Sequence, residues 1–437
     1  MLLLMLIILT KIFRGNLGGC LLLKTSPGDL YSNIYKEYHH KSIVGLYRSF
    51  TPMLLIRDPE LIKEVTTKSF SHFHDNDIDI DKDANLIFAK NPFTLKGEEW
   101  KIVRAQLTPC FTSGKMKWLY PYLEENSAQL VQCVQSLPEA TNAKCFEEEN
   151  SEFRQLAREF LTPGSWSMLV IFVATIFPVV MKIFPIRFAS KAVEGKLLEI
   201  VSDTLSYREG KKIIRNDFLH LEPTEEDFQR LRGFFADGYE TSSIVMSFVL
   251  FELSVNPEAQ SKLREEINKA FEENDHKLPY EVFKALPYLD GVINETLRIH
   301  PPALSLQKLC TEAFTYTPKE TNRSMVIEKG TPIILPVSGL HKDPQYFESP
   351  ESFKPERFVG ENKETIKKGT FLPFGEGPRA CLGQRFGLLQ IKVGVSYVVN
   401  NFELSVNKRT KLPLQYDPTY FLTSPIGGMW IDYKKIR

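Results

Sequence analysis

The sequence predicts one large, mainly α-helical domain with small peripheral β-sheets, and three observations predict it. Apolar residues recur at helical spacing through most of the chain from about residue 115 onward. Strand-like alternation is confined to short pieces at residues 43–46, 53–56 and 331–335. No internal repeat or low-complexity linker divides the 437 residues, so one domain is the economical reading of a length that would also admit two or three.

The elements follow in chain order. Met1 to Leu9 is an unbroken apolar run, followed by Thr10, Lys11 and Arg14. It is too short to span a bilayer, which takes about 20 residues, and its positive charge follows the run, the reverse of a signal peptide. It reads as a shortened N-terminal anchor over residues 1–14, or as a hydrophobic start packed on the domain formed by residues 15–437. Residues 168–181 are uncharged but interrupted by Pro178 and followed by Lys182 and Pro185, which suits a buried helix or a surface that dips into a membrane. Thr224-Glu225-Glu226-Asp227 sets a capping hydroxyl before first-turn acids, and Asn256-Pro257 ends the pattern. One helix over about 224–255 is predicted, roughly 45 Å long. Further helices are expected over 258–273, 288–300 and 382 to about 399.

Composition excludes several classes of function. Formal charge is balanced at 54 basic and 54 acidic residues, so no global field favours nucleic acid. Six cysteines, at 20, 110, 133, 145, 310 and 381, are scattered without a C-x-x-C pair. That usage fits a reducing compartment and indicates neither a disulfide framework nor a zinc site.

Cys381 is the most informative of them. It sits in Phe374-Gly375-Glu376-Gly377-Pro378-Arg379-Ala380-Cys381-Leu382-Gly383, a glycine-rich loop that delivers one thiol to a helix start at Leu382. Ordinary residue frequencies would give the spacing F-x-x-G-x-R-x-C-x-G on the order of once in ten thousand such chains. A sulfur that ligates iron must be deprotonated, and the free N–H groups of a helix N-terminus favour the anion. Gly375, Gly377 and Gly383 would let the backbone turn sharply against a flat macrocycle, Phe374 would pack beside the ring, and Arg379 could pair with a haem propionate. A thiolate axial ligand favours O–O cleavage, so this loop predicts oxygen activation rather than oxygen carriage.

These residues resemble the haem loop of the cytochrome P450 family, and the resemblance covers roughly residues 27–437. It implies the fold of that family, haem b with Cys381 as the metal ligand, and a monooxygenase taking electrons from NADPH through NADPH–cytochrome P450 reductase, with cytochrome b5 as a further partner. It also implies a lipophilic substrate, xenobiotic or endogenous lipid or steroid, and a place on the cytosolic face of the endoplasmic reticulum membrane. The wording is most similar to insect microsomal members, in the Glu240-Thr241-Ser242-Ser243 run and in Asn91-Pro92-Phe93-Thr94-Leu95-Lys96-Gly97-Glu98-Glu99-Trp100.

Other segments take their meaning beside that loop. Ala236-Asp237-Gly238-Tyr239-Glu240-Thr241 places an acid and an alcohol behind a mid-helix glycine, which costs about 1 kcal/mol relative to alanine unless something offsets it. A ligand or water approaching at Gly238 would offset it, and Thr241 could bond back to the freed carbonyl and, with Glu240, deliver the protons that O–O cleavage needs. The family usually has a small residue where Asp237 stands, so Asp237 either faces away from the haem or joins the relay.

Glu295-Thr296-Leu297-Arg298 and Pro355-Glu356-Arg357-Phe358 precede the cysteine loop in the family's order, and the resemblance implies a buried triad of Glu295, Arg298 and Arg357 bracing the haem core. Trp100 and Arg104, one helical turn apart, would face a propionate, and Lys308 stands where many relatives carry an arginine.

Two places depart from the family. Only Phe-Glu-Glu-Glu-Asn lies between Cys145 and Ser151, where relatives usually have a further core helix, and 215–224 is abbreviated. Two alternatives to the monooxygenase are a haem-thiolate isomerase or dehydratase, against which the Glu240 and Thr241 pair argues, and an inactive or incomplete haem-binding member.

Overall fold

The computed structural model describes residue 20 and residues 24–48, 51–80, 82, 85, 88, 90–136, 191–212, 225–275, 277–420 and 422–436, with the helical backbone alone over 225–236. The expected anchor at 1–14, the uncharged stretch 168–181, Thr224 and most of the two abbreviated places lie outside them. Helix predominates, as the sequence predicts. In chain order the described elements are α1 (Pro27–Glu37), β1 (Ile43–Arg48), β2 (Thr51–Ile56), α2 (Pro59–Lys63), α3 (Gly97–Leu107), α4 (Ser113–Ser136), α5 (Lys191–Lys211), α6 (Glu225–Val255), α7 (Pro257–Glu272) and α8 (Pro287–Ile299). There follow β3 (Leu306–Leu309), β4 (Phe314–Tyr316), β5 (Met325–Ile327), β6 (Pro332–Leu335), α9 (Val337–His341), α10 (Gln384–Asn401), β7 (Phe402–Val406) and β8 (Ile431–Lys435). No helix among the described residues is long and apolar enough to cross a membrane.

Local chemistry sets the helix ends. Ser26 caps α1 by accepting from Asp29 N at 3.0 Å, Asp58 caps α2 by accepting from Glu60 N at 3.1 Å, and each is followed by proline at the first helical position. The start of α8 has no cap of its own. Glu266 of α7 reaches across instead and accepts from Tyr288 N and Leu289 N at 2.8 Å each, so one half-buried carboxylate ties two helices. Burial raises its pKa and those two N–H bonds hold it down.

Two cores divide the packing. The larger lies among α4, α6, α7, α8 and α10, where Val249, Leu253, Leu263, Ile293, Leu297 and Val393 are buried. The smaller lies under a four-stranded sheet of order β1-β2-β6-β3 that α1 covers, built from Tyr35, Leu55, Ile56 and Ile334. β2 pairs with β6 in parallel, Leu54 opposite Ile333, which fastens the N-terminal sheet to a strand some 280 residues later. β4-β5 and β7-β8 are separate two-stranded pairs.

A buried ion triad locks α8 to the segment before the cysteine loop. Arg298 donates from Nε and Nη2 to the two carboxylate oxygens of Glu295, both at 2.8 Å, and neither side chain is accessible. Arg357 Nε adds a third contact to Glu295 Oε1 at 3.2 Å, and Lys354 N a fourth at 2.9 Å. Arg298 also donates to His341 O and Ser352 O. These donors are consumed inside the scaffold, so Glu295, Arg298 and Arg357 hold α8 to the segment that precedes the cysteine loop. Gly291 on the same helix explains the closeness: a Cβ there would stand 2.7 Å from Pro355 O.

Arg298→Ala would leave the Glu295 carboxylate buried with no bidentate partner. A loss of about 3–5 kcal/mol is expected, read as a fall in the urea unfolding midpoint and in soluble yield; Arg357→Ala, whose partner keeps Arg298, should lose less.

Candidate active site

The cysteine loop closes on itself when Cys381 N donates to Phe374 O at 2.8 Å. Gly375 and Gly377 sit in the left-handed region, at φ +69° and +75°. At Gly377 the backbone also has no room: a Cβ would lie 1.9 Å from Thr66 O. The helical turn Glu64–Lys68, which carries Thr66, is what approaches it here. Gly383, at φ −85° with only a distant ring edge near it, needs no glycine conformation. The helix begins two residues later than expected, at Gln384, with Gly383 as its cap.

That offset places the helix N-terminus at the sulfur. The N–H groups of Gly383 and Gln384 point at Cys381 Sγ and favour its anion, as does the nearby Arg104. Enclosure by protein outweighs them, and with the Asp237 charge nearby the thiol pKa is raised. Yet Cys381 is exposed, so the sulfur looks into an interior space.

Cations gather on one side of that space. Arg379 stacks over the Trp100 ring at 4.0 Å and donates to His74 O (2.7 Å), Pro92 O (2.9 Å), Leu95 O (2.9 Å) and Asp75 Oδ1 (3.1 Å). Four of its five N–H groups therefore serve protein acceptors, and one is left over. Burial lowers the Arg379 pKa to about 10, with Asp75 opposing. Lys308, buried on β3, donates to the neutral Asn76 Oδ1 at 2.9 Å, and burial with the Arg379 charge lowers its pKa to about 7. Arg104 is half-buried, and neither its guanidinium nor the Trp100 indole N–H bonds a described residue. One carboxylate, Asp75, thus faces Arg379 and Lys308, itself engaged by Gly97 N and His74 Nδ1, both at 2.8 Å.

The arrangement fits a haem. A single thiol suits an iron whose in-plane ligands come with a macrocycle, and among the described residues no group of three or more His, Cys, Asp or Glu side chains could hold a metal by itself. The surplus of enclosed positive charge suits a dianion, with Arg104, Trp100 and Lys308 retaining free donors. Phe374 and Leu382 supply apolar walls beside the sulfur.

On α6, Thr241 Oγ1 donates to Asp237 O at 2.5 Å, and Gly238 has nothing within 4 Å of where its Cβ would stand. Glu240 Oε1 accepts from Tyr420 Oη at 2.6 Å, while Asp237 Oδ2 accepts from Asn91 Nδ2 at 2.8 Å. The two acids of the motif therefore face different partners. Asp75, Asn76, Asn91 and Tyr420 escaped the sequence reading. The acidic run His74-Asp75-Asn76-Asp77 and the quoted Asn91-Pro92-Phe93 segment carried a trace of the first three, whereas nothing local marks Tyr420.

Comparison with known proteins places this site in context. The chain matches the family model described as Cytochrome P450 over residues 13–145 and 143–431. The two pieces meet beside the short stretch at 145–151 where a helix is expected to be missing. It is 31% identical to Cytochrome P450 9e2 of Blattella germanica, covering 97% of this chain and 91% of that protein. It is 33% identical to Cytochrome P450 6j1 of Blattella germanica, over 97% and 91%, and 32% identical to Probable cytochrome P450 28a5 of Drosophila melanogaster, over 98% and 93%. The first alignment extends over 489 positions against 437 residues in the chain, so that relative carries segments with no counterpart here.

Two expectations follow. Gly377→Ala should cost about 1–3 kcal/mol through backbone strain alone, with more from the Thr66 clash, read as a lowered unfolding midpoint and less retained pigment while far-UV circular dichroism stays helical. The second concerns pH in the protein prepared without cofactor. Lys308 loses its proton near pH 7 when folded but near ~10.4 when unfolded; the unfolded chain holds more protons between these values, so stability rises with pH across that window and the full cost stands below it. Lys308→Met should therefore stabilise by on the order of 2 kcal/mol at pH 6.5 and by clearly less at pH 9.5, as urea midpoints would show.

Proposed function

The chain belongs to the cytochrome P450 family, and on that footing we propose that this haem-thiolate monooxygenase inserts one atom of O2 into a lipophilic xenobiotic, lipid or steroid. Its electrons come from NADPH through a reductase, with cytochrome b5 as an accessory donor, at the cytosolic face of the endoplasmic reticulum. The observation that supports the reading most is the Cys381 thiol, aimed into the interior from a loop closed by its own backbone and met by the N–H groups of Gly383 and Gln384.

When bound, haem b supplies oxygen activation, which a thiolate ligand promotes. The chain's own residues do the rest. Cys381 would hold the iron, and metal coordination would keep it deprotonated against the upward pull of burial. Arg104, Trp100 Nε1 and Lys308 would take the propionates, and Arg379 would contribute one remaining N–H while fixing the loop. Phe374, Gly375, Gly377 and Gly383 shape the proximal wall.

Proton delivery falls to Glu240 and Thr241. Thr241 Oγ1 rests on Asp237 O beside the open flank of Gly238, so rotation about χ1 swings its proton from the carbonyl into that space. Glu240 is held through Oε1 by Tyr420, which leaves Oε2 to take a proton from solvent and pass it to Thr241 Oγ1.

The decisive experiment is spectroscopic. A reduced, carbon-monoxide-treated sample of the wild type should give the family's thiolate-shifted absorption band, and Cys381→Ala should abolish it. An unchanged spectrum in the alanine variant sinks the assignment. In the wild type with reductase, NADPH consumption should rise when a lipophilic substrate is added.

A further inference from the structure

We propose that the free carboxylate oxygen of Asp237 is a recognition point for a cationic nitrogen on the lipophilic substrate. The inference rests on the monooxygenase reading above and deepens it by naming a substrate class.

Asp237 lies one helical turn before Thr241, and its carboxylate is close enough to Cys381 for each charge to act on the other. It is exposed, yet protein surrounds it on all sides, so it lines the interior space into which the thiol looks. The side chain is held in place. Asn91 is 3% exposed; its Oδ1 accepts from Phe93 N at 2.8 Å, which fixes the amide orientation and presents Nδ2 to Asp237 Oδ2. Oδ1 of Asp237 takes no hydrogen bond from any described residue.

Nor does this carboxylate serve the proton pair. The Thr241 hydroxyl bonds the Asp237 carbonyl rather than its side chain, and Glu240 is engaged by Tyr420. Enclosure raises the Asp237 pKa to about 6, and Asn91 opposes that rise, so the group is mostly ionised at neutral pH. Its one partner is a neutral amide. An enclosed anion with one neutral donor and an unfilled oxygen selects a ligand that brings a positive charge, because a charge-assisted contact is worth more where water is excluded.

Asp237 could instead serve only to tether the segment that carries Asn91, and the test separates the roles. Binding to the haem-loaded protein is compared for octyltrimethylammonium and its carbon isostere 2,2-dimethyldecane, neither of which can ligate iron, by displacement of an apolar fluorescent probe. The ratio of the two Kd values should fall about tenfold or more toward the neutral ligand in Asp237→Asn, which keeps the bond from Asn91 and removes the charge. Asp237→Ala, with the small residue usual at this position, should show the same fall, and Asp237→Glu should keep the wild-type ratio. A ratio within about twofold of wild type in both neutral variants overturns the inference and leaves Asp237 as a tether. Each sample is first scored for the thiolate-shifted band: its absence in the wild type sinks the monooxygenase reading, whereas an intact band with an unmoved ratio sinks this assignment alone.

Discussion

One guanidinium joins the cysteine loop to the chain that faces it. Arg379 lies two residues before Cys381, and its donors end on His74 O, Asp75 Oδ1, Pro92 O and Leu95 O, about 300 residues earlier. Burying an arginine is costly unless its donors are met, and here three carbonyls and one carboxylate meet them while Trp100 covers a face. The carboxylate is itself anchored. Asp75 accepts from Gly97 N at the start of α3, and its backbone carbonyl accepts from Leu309 N on β3. Displacing Arg379 would therefore loosen α3 with Trp100 and Arg104, β3 with Lys308, and the cysteine loop together.

The ion triad works one level below. Glu295 receives four donors from three residues, one on α8 and two in the segment 354–357, and the contact between α8 and the Pro355 turn is so close that Gly291 has no room for a Cβ. A buried ion pair contributes little net stability but penalises any arrangement that separates its members. Its value here lies in register: it holds the chain that leads into the cysteine loop at one position relative to α8, and so relative to the core of α6 and α10 against which α8 packs.

Much of this was legible in the sequence wherever the signal is local. The ends of α6 at Asn256-Pro257, the Glu295 and Arg298 spacing, the Pro355 turn and the cysteine loop are all written within a few residues. The protein partners of Arg379 are not, because three of its four acceptors are backbone carbonyls, which no residue type announces. The need for glycine at 377 is legible in the loop, but the obstructing Thr66 carbonyl is supplied by the fold and not by sequence neighbours. The parallel pairing of β2 with β6 and the reach of Tyr420 to Glu240 are likewise products of tertiary packing across long separations. Helix α10 begins at Gln384 rather than Leu382 because Cys381, Leu382 and Gly383 are spent turning the chain so that two N–H groups converge on sulfur.

The interior charges have a polarity that follows from these contacts. Lys308 and Arg379 stand beside the Asp75 carboxylate and Arg104 near the Cys381 thiol, while Asp237 projects from α6 with a neutral amide as its only described partner. Enclosure acts on both sets in the same sense, toward neutrality: it lowers the Arg379, Arg104 and Lys308 pKa values and raises those of Asp237 and Cys381. A site whose charged groups are all pushed that way gains most from guests of complementary charge, an anion beside the basic groups and a cation beside Asp237. Burial raises the Cys381 thiol pKa against the N–H groups of Gly383 and Gln384, which favour its anion. The fold supplies position and an unmet electrostatic demand, and the chemistry follows from what satisfies that demand.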